Sequence, residues 1–254
     1  MRILPCGTQW HQHVGPDGAD ETEWFSSLGR VFEVEGTPVS TGRFCHVVRI
    51  RAGNRDYYVK RYQARGKHCR KALGRSRPLV EYRNLAYFAR MGIPVPRVVA
   101  YGSQRTLGLF RRGAIVTEGV LEATDLETLV RVRPDLLGNR TWLLQVLRTL
   151  ADYVRRLHED GLTHQDLKWR NILVTTGETP NVFFLDCPSG HHGLGLRREH
   201  FIVKDLANLD RLARQHLPRT MRLRFYRWYR NRTRLNRKDK RRIAKVVAFW
   251  THRT

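Results

Sequence analysis

From Val31 to Tyr62 the chain reads as strands. VFEVEGTPV and RFCHVVRIRAGNRDYYVKRY are rich in Val, Ile, Phe and Tyr, and Gly36, Gly42 and Gly53-Asn54 break them. Pro78 then stands at a first helical position, and LVEYRNLAYFARMG has helical spacing closed by Gly92. IPVPRVVAYG, stiffened by Pro94 and Pro96, and RGAIVTEGV read as two more strands. Residues 1–24 carry no clear periodicity and read as a loose lead-in. Beyond Leu121 the period changes. TWLLQVLRTLADYVRRLHEDG sets Leu143, Leu147, Leu150, Val154 and Leu157 on one helical face. THQDLKWRNILVT and NVFFLDCPSG read as a loop and two short strands, and KDLANLDRLARQHL resumes helical spacing. The expected class is α+β, divided into a lead-in (1–24), a sheet-rich lobe with one inserted helix (25–120), a helical lobe (121–218) and a basic helical tail (219–254).

Composition narrows the partner. The 254 residues carry 47 Lys and Arg against 23 Asp and Glu, a net charge of +24. That balance selects an acidic partner (nucleic acid, an anionic membrane or a phosphorylated substrate) and disfavours cationic substrates. With 10% aromatics and regular apolar runs the chain has the means to bury a core. No window approaches the ~18–20 apolar residues of a membrane span. MRILPCG is too short an apolar start for a secretory signal, so a cytoplasmic protein is expected. Cys6, Cys45, Cys69 and Cys187 show no paired spacing, which fits reduced thiols. His11, His13, His191, His192 and His200 make no zinc spacing.

The sharpest chemical signal is His164-Gln165-Asp166-Leu167-Lys168-Trp169-Arg170-Asn171. An Asp and an Asn separated by four residues, after a helix and before a strand, suit phosphoryl transfer. The Asp can orient a hydroxyl and accept its proton, and the Asn carbonyl can hold magnesium on the phosphates. Asp186 follows the apolar strand Val182-Phe183-Phe184-Leu185, placing a hard oxygen ligand at a strand end. The blander reading is a turn-capping Asp and an ordinary strand-end carboxylate.

With these residues the chain resembles the protein-kinase-like superfamily, and within it the Kdo/WaaP-type lipopolysaccharide kinases, over roughly residues 29–217. HQDLKWRN resembles the catalytic loop HRDLKxxN, with Gln165 in place of Arg, and Asp186-Cys187-Pro188 stands where kinases carry Asp-Phe-Gly. The resemblance implies a bilobal kinase-like fold with ATP and Mg²⁺ as cofactors. Asp166 and Lys168 would be catalytic, and Asn171 and Asp186 would be metal ligands. Lys60 would hold the ATP phosphates and Glu81 would pair with it. The adenine would bind backbone from Glu118 to Val120. Asp205 resembles the buried helix Asp that braces the catalytic loop; alternatively it is a helix N-terminal carboxylate favoured by the macrodipole. The pattern also departs from the family. There is no GxGxxG, only the turn Ser40-Thr41-Gly42-Arg43, no APE, and about 18 residues (187–204) between Asp186 and KDLA. These departures point to a constitutive kinase of a non-protein substrate.

The expected function is an ATP-dependent kinase of a lipopolysaccharide core sugar, with heptose as acceptor, working peripherally on the inner face of the cytoplasmic membrane. Its expected partners are the anionic core glycolipid and the anionic membrane surface. Between Arg219 and Lys245 thirteen Lys and Arg stand against one Asp, interleaved with Phe225, Tyr226, Trp228 and Tyr229. That mixture suits a membrane interface or, as the competing reading, RNA. The alternatives are a small-molecule kinase of the aminoglycoside or choline type and a non-catalytic RNA-binding protein with a kinase-like fold.

Overall fold

Strand β3 (Cys45–Ala52) buries Val48, Ile50 and Ala52 and exposes Arg49 and Arg51, the period-two pattern of a sheet with one covered face. It turns at Gly53, whose φ of 60° suits glycine at the first position of a tight hairpin, and returns as β4 (Arg55–Gln63). In the computed structural model, which describes residues 7–15, 19–42, 45–64 and 75–251, this hairpin belongs to the first of two compact units. That unit comprises residues 1–86 and 96–120, and the second comprises residues 87–95 and 121–254.

The first unit is built on a six-stranded antiparallel sheet ordered β1-β5-β6-β4-β3-β2. The remaining strands are β1 (Gly7–Gln12), β2 (Thr37–Thr41), β5 (Val98–Thr106) and β6 (Leu109–Glu118). The lead-in is therefore structured in part: β1 is an edge strand on β5, and α1 (Ala19–Trp24) follows it. A Cβ on Gly102 would collide with the Gln9 carbonyl and the Trp10 ring, so glycine there lets β1 pair closely. The stretch VFE, expected as strand, lies in helix α2 (Leu28–Glu33). Ser27 caps it by accepting from the Arg30 N–H at 3.2 Å, and the three-residue spacing of Leu28 and Val31 puts both into the core beside Phe25, Val59 and Val116. Capping and burial override the strand preference of Val and Phe.

Glu21 of α1 is 1% exposed. Burial by itself would raise its pKa, but the Arg97 guanidinium, the Gly15 N–H (2.9 Å) and the Tyr57 hydroxyl (3.0 Å) all donate to the carboxylate and hold it below the usual range. A carboxylate with a lowered folded-state pKa stabilises fully above its ordinary value of 4.5 and ceases to do so as pH falls through the lowered value. Glu21→Gln should therefore destabilise the protein at neutral pH and flatten the acid limb below pH 4.5. Unfolding midpoints measured across pH 3–7 check this; an unchanged acid limb would contradict it.

Helix α3 (Arg77–Arg90) contributes residues 77–86 to the first unit and 87–90 to the second. Gly92 follows it with φ 68°. The second unit then runs through β7 (Ala123–Asp125), α4 (Leu126–Val132), α5 (Pro134–Gly138), α6 (Arg140–Glu159), β8 (Leu162–Thr163), β9 (Ile172–Thr175), β10 (Val182–Phe184), β11 (His191–His192), α7 (Gly195–His216), α8 (Arg219–Tyr229) and α9 (Arg237–Ala248). Asn139 caps α6 on the Trp142 N–H, and the helix buries Leu143, Leu147, Leu150, Val154 and Leu157.

The basic stretch after Pro218 packs into this unit, α8 against α6 and α9 against α7. Tyr226 and Tyr229 are core residues, 6% and 3% exposed. Several arginines find acids on α7 or at the start of α9. Arg222 meets Asp210 at 2.7 Å, Arg242 grips Glu199 at 2.7 and 2.6 Å, and Arg230 meets the buried Asp239 at 2.8 Å. Among the described residues no helix is long and apolar enough to cross a membrane.

Candidate active site

Lys60 lies on a central strand, opposite Val47 of β3 and Ile115 of β6. Its ammonium sits 3.1 Å from Glu81 Oε1, and the two side chains are 12% and 2% exposed. Glu81, which on its own reads as a surface charge, is thus buried on α3, and the Tyr62 hydroxyl donates to its second oxygen. Tyr62 lies two residues after Lys60 and so shares its face of the strand; that spacing was the signal for this additional member of the pair. An ammonium fixed by a buried carboxylate is pre-positioned to bind phosphate oxygens.

At the end of β6, Glu118 forms ion pairs with Arg97 (2.6 Å) and Arg55 (3.6 Å). The Glu118 N–H donates to the Arg97 carbonyl at 2.9 Å and the Gly119 N–H to the Asp56 carbonyl at 2.6 Å. Of the three residues assigned to adenine, two therefore have their N–H engaged within the unit. Of the expected turn Ser40-Thr41-Gly42-Arg43, Ser40 and Thr41 lie in β2 and pair with Val47 and His46 of β3, and the Gly42 N–H donates to the Cys45 carbonyl; Arg43 lies outside the described residues, as does most of the basic loop GKHCRKALGRSR.

In the second unit the loop after β8 gathers Asp166, Lys168 and Asn171. Lys168 Nζ is 2.5 Å from Asp166 Oδ1. The Asn171 amide nitrogen donates to the Asp166 carbonyl at 2.7 Å and to its carboxylate at 3.2 Å. A 3₁₀ turn, Trp169–Asn171, brings Asn171 back over the loop. The Asp166 and Lys168 side chains are each about one-third exposed, whereas Asn171 is buried. The Asn171 carbonyl also accepts the Leu185 N–H at 2.9 Å, and His164 Nε2 donates to the Leu185 carbonyl at 3.1 Å. Loop and β10 are thus tied together immediately before Asp186. Burial pushes the His164 pKa down, so it acts as a neutral hydrogen-bonding strut.

Two non-glycine residues here adopt left-handed backbone, Gln165 (φ 66°) and Asp186 (φ 48°). Such positions cost about 1–3 kcal/mol and persist where surrounding bonds over-determine them. For Gln165 the cause is Asp205. Fully buried on α7, Asp205 accepts the His164 N–H and the Gln165 N–H, both at 2.7 Å, and touches His158 Nε2 at 3.3 Å. It lies in mid-helix, ten residues past Gly195, too far along for a macrodipole role; it is the brace of the loop. His158 in turn meets the Tyr229 hydroxyl at 3.0 Å. Helix α7 begins at Gly195, so the stretch of about 18 residues between Asp186 and KDLA is helical in its second half.

The donor chemistry fits magnesium. With its amide nitrogen engaged by Asp166, Asn171 offers a carbonyl oxygen, and Asp186 offers a carboxylate; Mg²⁺ takes such hard oxygens from one or two protein groups and fills the rest from water and phosphate. Among the described residues no group of three or more His, Cys, Asp or Glu forms a metal site.

A lysine on a six-stranded sheet paired with a helix glutamate, followed by a helical unit with a braced Asp/Asn loop, defines a protein-kinase-like fold. The solved structure "WaaP in complex with acyl carrier protein" superposes on this chain with a TM-score of 0.69 at 22% identity, covering 96% of this chain and 97% of that one. The chain belongs to the lipopolysaccharide kinase (Kdo/WaaP) family, whose sequence profile matches residues 23–243. Relatives include a 3-deoxy-D-manno-octulosonic acid kinase of Haemophilus influenzae (strain PittEE), 32% identical over 108 residues, which are 42% of each chain. Another, from Vibrio vulnificus (strain CMCP6), is 27% identical over 139 residues, 55% of this chain and 52% of that one. The RIO-type serine/threonine-protein kinase Rio1 of Haloferax volcanii is 27% identical over 201 residues, 71% of this chain and 63% of that one. The matches thus span less than two-thirds of these relatives' own lengths.

Proposed function

We propose that this chain is an ATP-dependent kinase that phosphorylates a sugar hydroxyl in the inner core of lipopolysaccharide. The observation that carries the reading is the Asp166 carboxylate held between Lys168 and Asn171 on a loop braced by Asp205. The names of the curated relatives favour 3-deoxy-D-manno-octulosonic acid (Kdo) as acceptor over the heptose expected from the sequence.

In this mechanism Asp166 orients the acceptor hydroxyl and takes its proton as the phosphoryl group transfers. Lys168 supplies positive charge beside the same carboxylate, where the moving phosphoryl group needs it. Asn171 and Asp186 would hold Mg²⁺, which when bound neutralises charge on the phosphate oxygens. Lys60, fixed by Glu81 and Tyr62, binds the nucleotide phosphates. With the Glu118 and Gly119 N–H groups engaged, Val120 is the donor assigned to the adenine edge. The excess of basic residues favours an anionic acceptor and disfavours a cationic aminoglycoside or choline. Transfer of label from γ-labelled ATP to purified acceptors tests the reading. Lipid A bearing Kdo alone should be labelled. Labelling only when heptose is added would make heptose the acceptor, and no labelling of either would overturn the proposal.

Lys60→Met should lower kcat/KM by about 10²-fold or more, since it removes a charge-assisted contact of the kind made in the transition state. Unchanged kinetics would remove Lys60 from the site.

Localisation at an anionic membrane surface belongs to the same proposal. Arg227, Arg234, Arg237 and Arg241 are exposed on or beside α8 and α9. At about 1 kcal/mol per basic residue near an anionic surface, replacing all four by Gln should weaken vesicle binding by about 10²-fold or more. Arg230 is unsuitable for this test because it neutralises the buried Asp239. Flotation with anionic and neutral vesicles is the measurement; equal binding to both at low salt removes the membrane reading, and retention on RNA in its place would support the competing one. The complex recorded for the solved relative supports a further proposal, that an acyl carrier protein binds this chain as well. Salt-sensitive co-elution of such a carrier is the expected result, and its absence at low salt would exclude it.

A further inference from the structure

In the second unit a cavity of about 360 Å³ opens between the end of α6, the start of α7, the end of α8 and α9. Its charged lining is four arginines, Arg155, Arg198, Arg230 and Arg242, against two glutamates, Glu159 and Glu199. Three of the arginines already have acidic partners. Arg155 pairs with Asp152 and, at 2.8 Å, with Glu159. Arg242 grips Glu199, and Arg230 holds Asp239 through Nε at 2.8 Å, which leaves both terminal nitrogens of the Arg230 fork for another acceptor. Arg198 is different. One terminal nitrogen donates to the His158 carbonyl and lies 3.4 Å from that of Glu159, closing the end of α6, while its Nε is buried without a partner.

Two further features point the same way. Gly195, which lines the cavity, starts the 22-residue α7, and its N-cap Leu194 supplies no side-chain acceptor. The first-turn N–H groups of a long helix carry partial positive charge and favour an anion. Arg198 Nε is closed off from the cavity, so the donor that Arg198 can offer an anion there is its second terminal nitrogen, which makes no hydrogen bond. Planar arginine forks bind phosphate oxygens bidentately, and the volume admits a phosphate with a small organic group.

We propose that this cavity is a binding site for a phosphate dianion, free or as a small phosphate monoester, separate from the nucleotide phosphates bound by Lys60. One wall is His158, whose Nε2 contacts the Asp205 brace, so the site lies one side chain from the support of the catalytic loop.

Isothermal titration of inorganic phosphate into the full chain, against sodium chloride at matched ionic strength, tests the proposal. A Lys60→Met background removes phosphate bound at the nucleotide site. Phosphate should bind, and Arg198→Met should weaken it about tenfold or more, the loss of one charge-assisted hydrogen bond. Because Arg198 also closes α6, the second variant is Arg155→Gln, which gives up only ion pairs near the surface and should weaken binding several-fold. Glycerol 3-phosphate in a parallel titration separates the sources: tighter binding than inorganic phosphate assigns the site to monoesters, and weaker binding to the free ion. Absence of phosphate-specific heat, or binding unchanged in both variants, overturns the proposal.

Discussion

Asp166→Ala should lower turnover by about 10²–10⁴-fold, the range for loss of a positioned general base, while ATP affinity stays within a few-fold. The geometry separates the two effects. Asp166 touches Lys168 and Asn171 within the loop, whereas the Lys60–Glu81 pair is formed wholly inside the first unit. Single-turnover kinetics with labelled ATP and nucleotide titrations measure the two quantities independently. Asp186→Ala should behave differently and weaken magnesium-dependent nucleotide binding as well as rate. Turnover near that of the unsubstituted protein in Asp166→Ala would end the assignment of this loop as catalytic. An unchanged Mg·ATP affinity in Asp186→Ala would end the division of labour between the two carboxylates.

The candidate catalytic loop was legible because its chemistry is contiguous: Asp166, Lys168 and Asn171 lie within six residues, so spacing alone sets their grouping. Lys60 and Glu81 were named by the resemblance, since each taken alone reads as a solvated charge, and the structure shows them paired and largely buried. Edge and surface structure was harder to read. Strand β1 exposes most of its residues and pairs on one side only, so it lacks the apolar alternation that announces a half-buried strand. Helix α2 is six residues long, less than two turns, and its Val and Phe carry a strand preference that only the Ser27 cap and the core beneath reverse. The basic stretch holds one acid of its own, and most of the acids that pair it are distant in sequence. Glu199 lies 43 residues before Arg242, and no local pattern links them. Tyr226 and Tyr229, three apart, mark the buried face of α8 and leave fewer aromatics for a membrane than the sequence alone suggests.

Asp205 combines both kinds of information, since a family resemblance named it and only the structure shows what it holds. Its carboxylate accepts two backbone N–H groups, of His164 and Gln165, in a site from which water is excluded. Asp205→Ala leaves both donors without an acceptor, and each orphan costs about 1–3 kcal/mol, so a loss of about 3–5 kcal/mol is expected, with partial relaxation at one of them. Asp205→Asn rescues little, because one side-chain oxygen becomes an NH₂ group that faces an N–H. Gln165, released from the bond that sustains its left-handed backbone, should relax and shift Asp166. A displacement of about 1 Å costs on the order of 10²-fold in rate. Asp205→Asn should therefore lower kcat with little change in KM for ATP, whose proposed binding group, the Lys60–Glu81 pair, lies in the other unit. Urea unfolding midpoints and steady-state kinetics on Asp205→Asn test both halves. Stability equal to that of the unsubstituted protein would show that the loop amides do not depend on this carboxylate. A rise in KM for ATP at constant kcat would place its influence on nucleotide binding instead of on the loop.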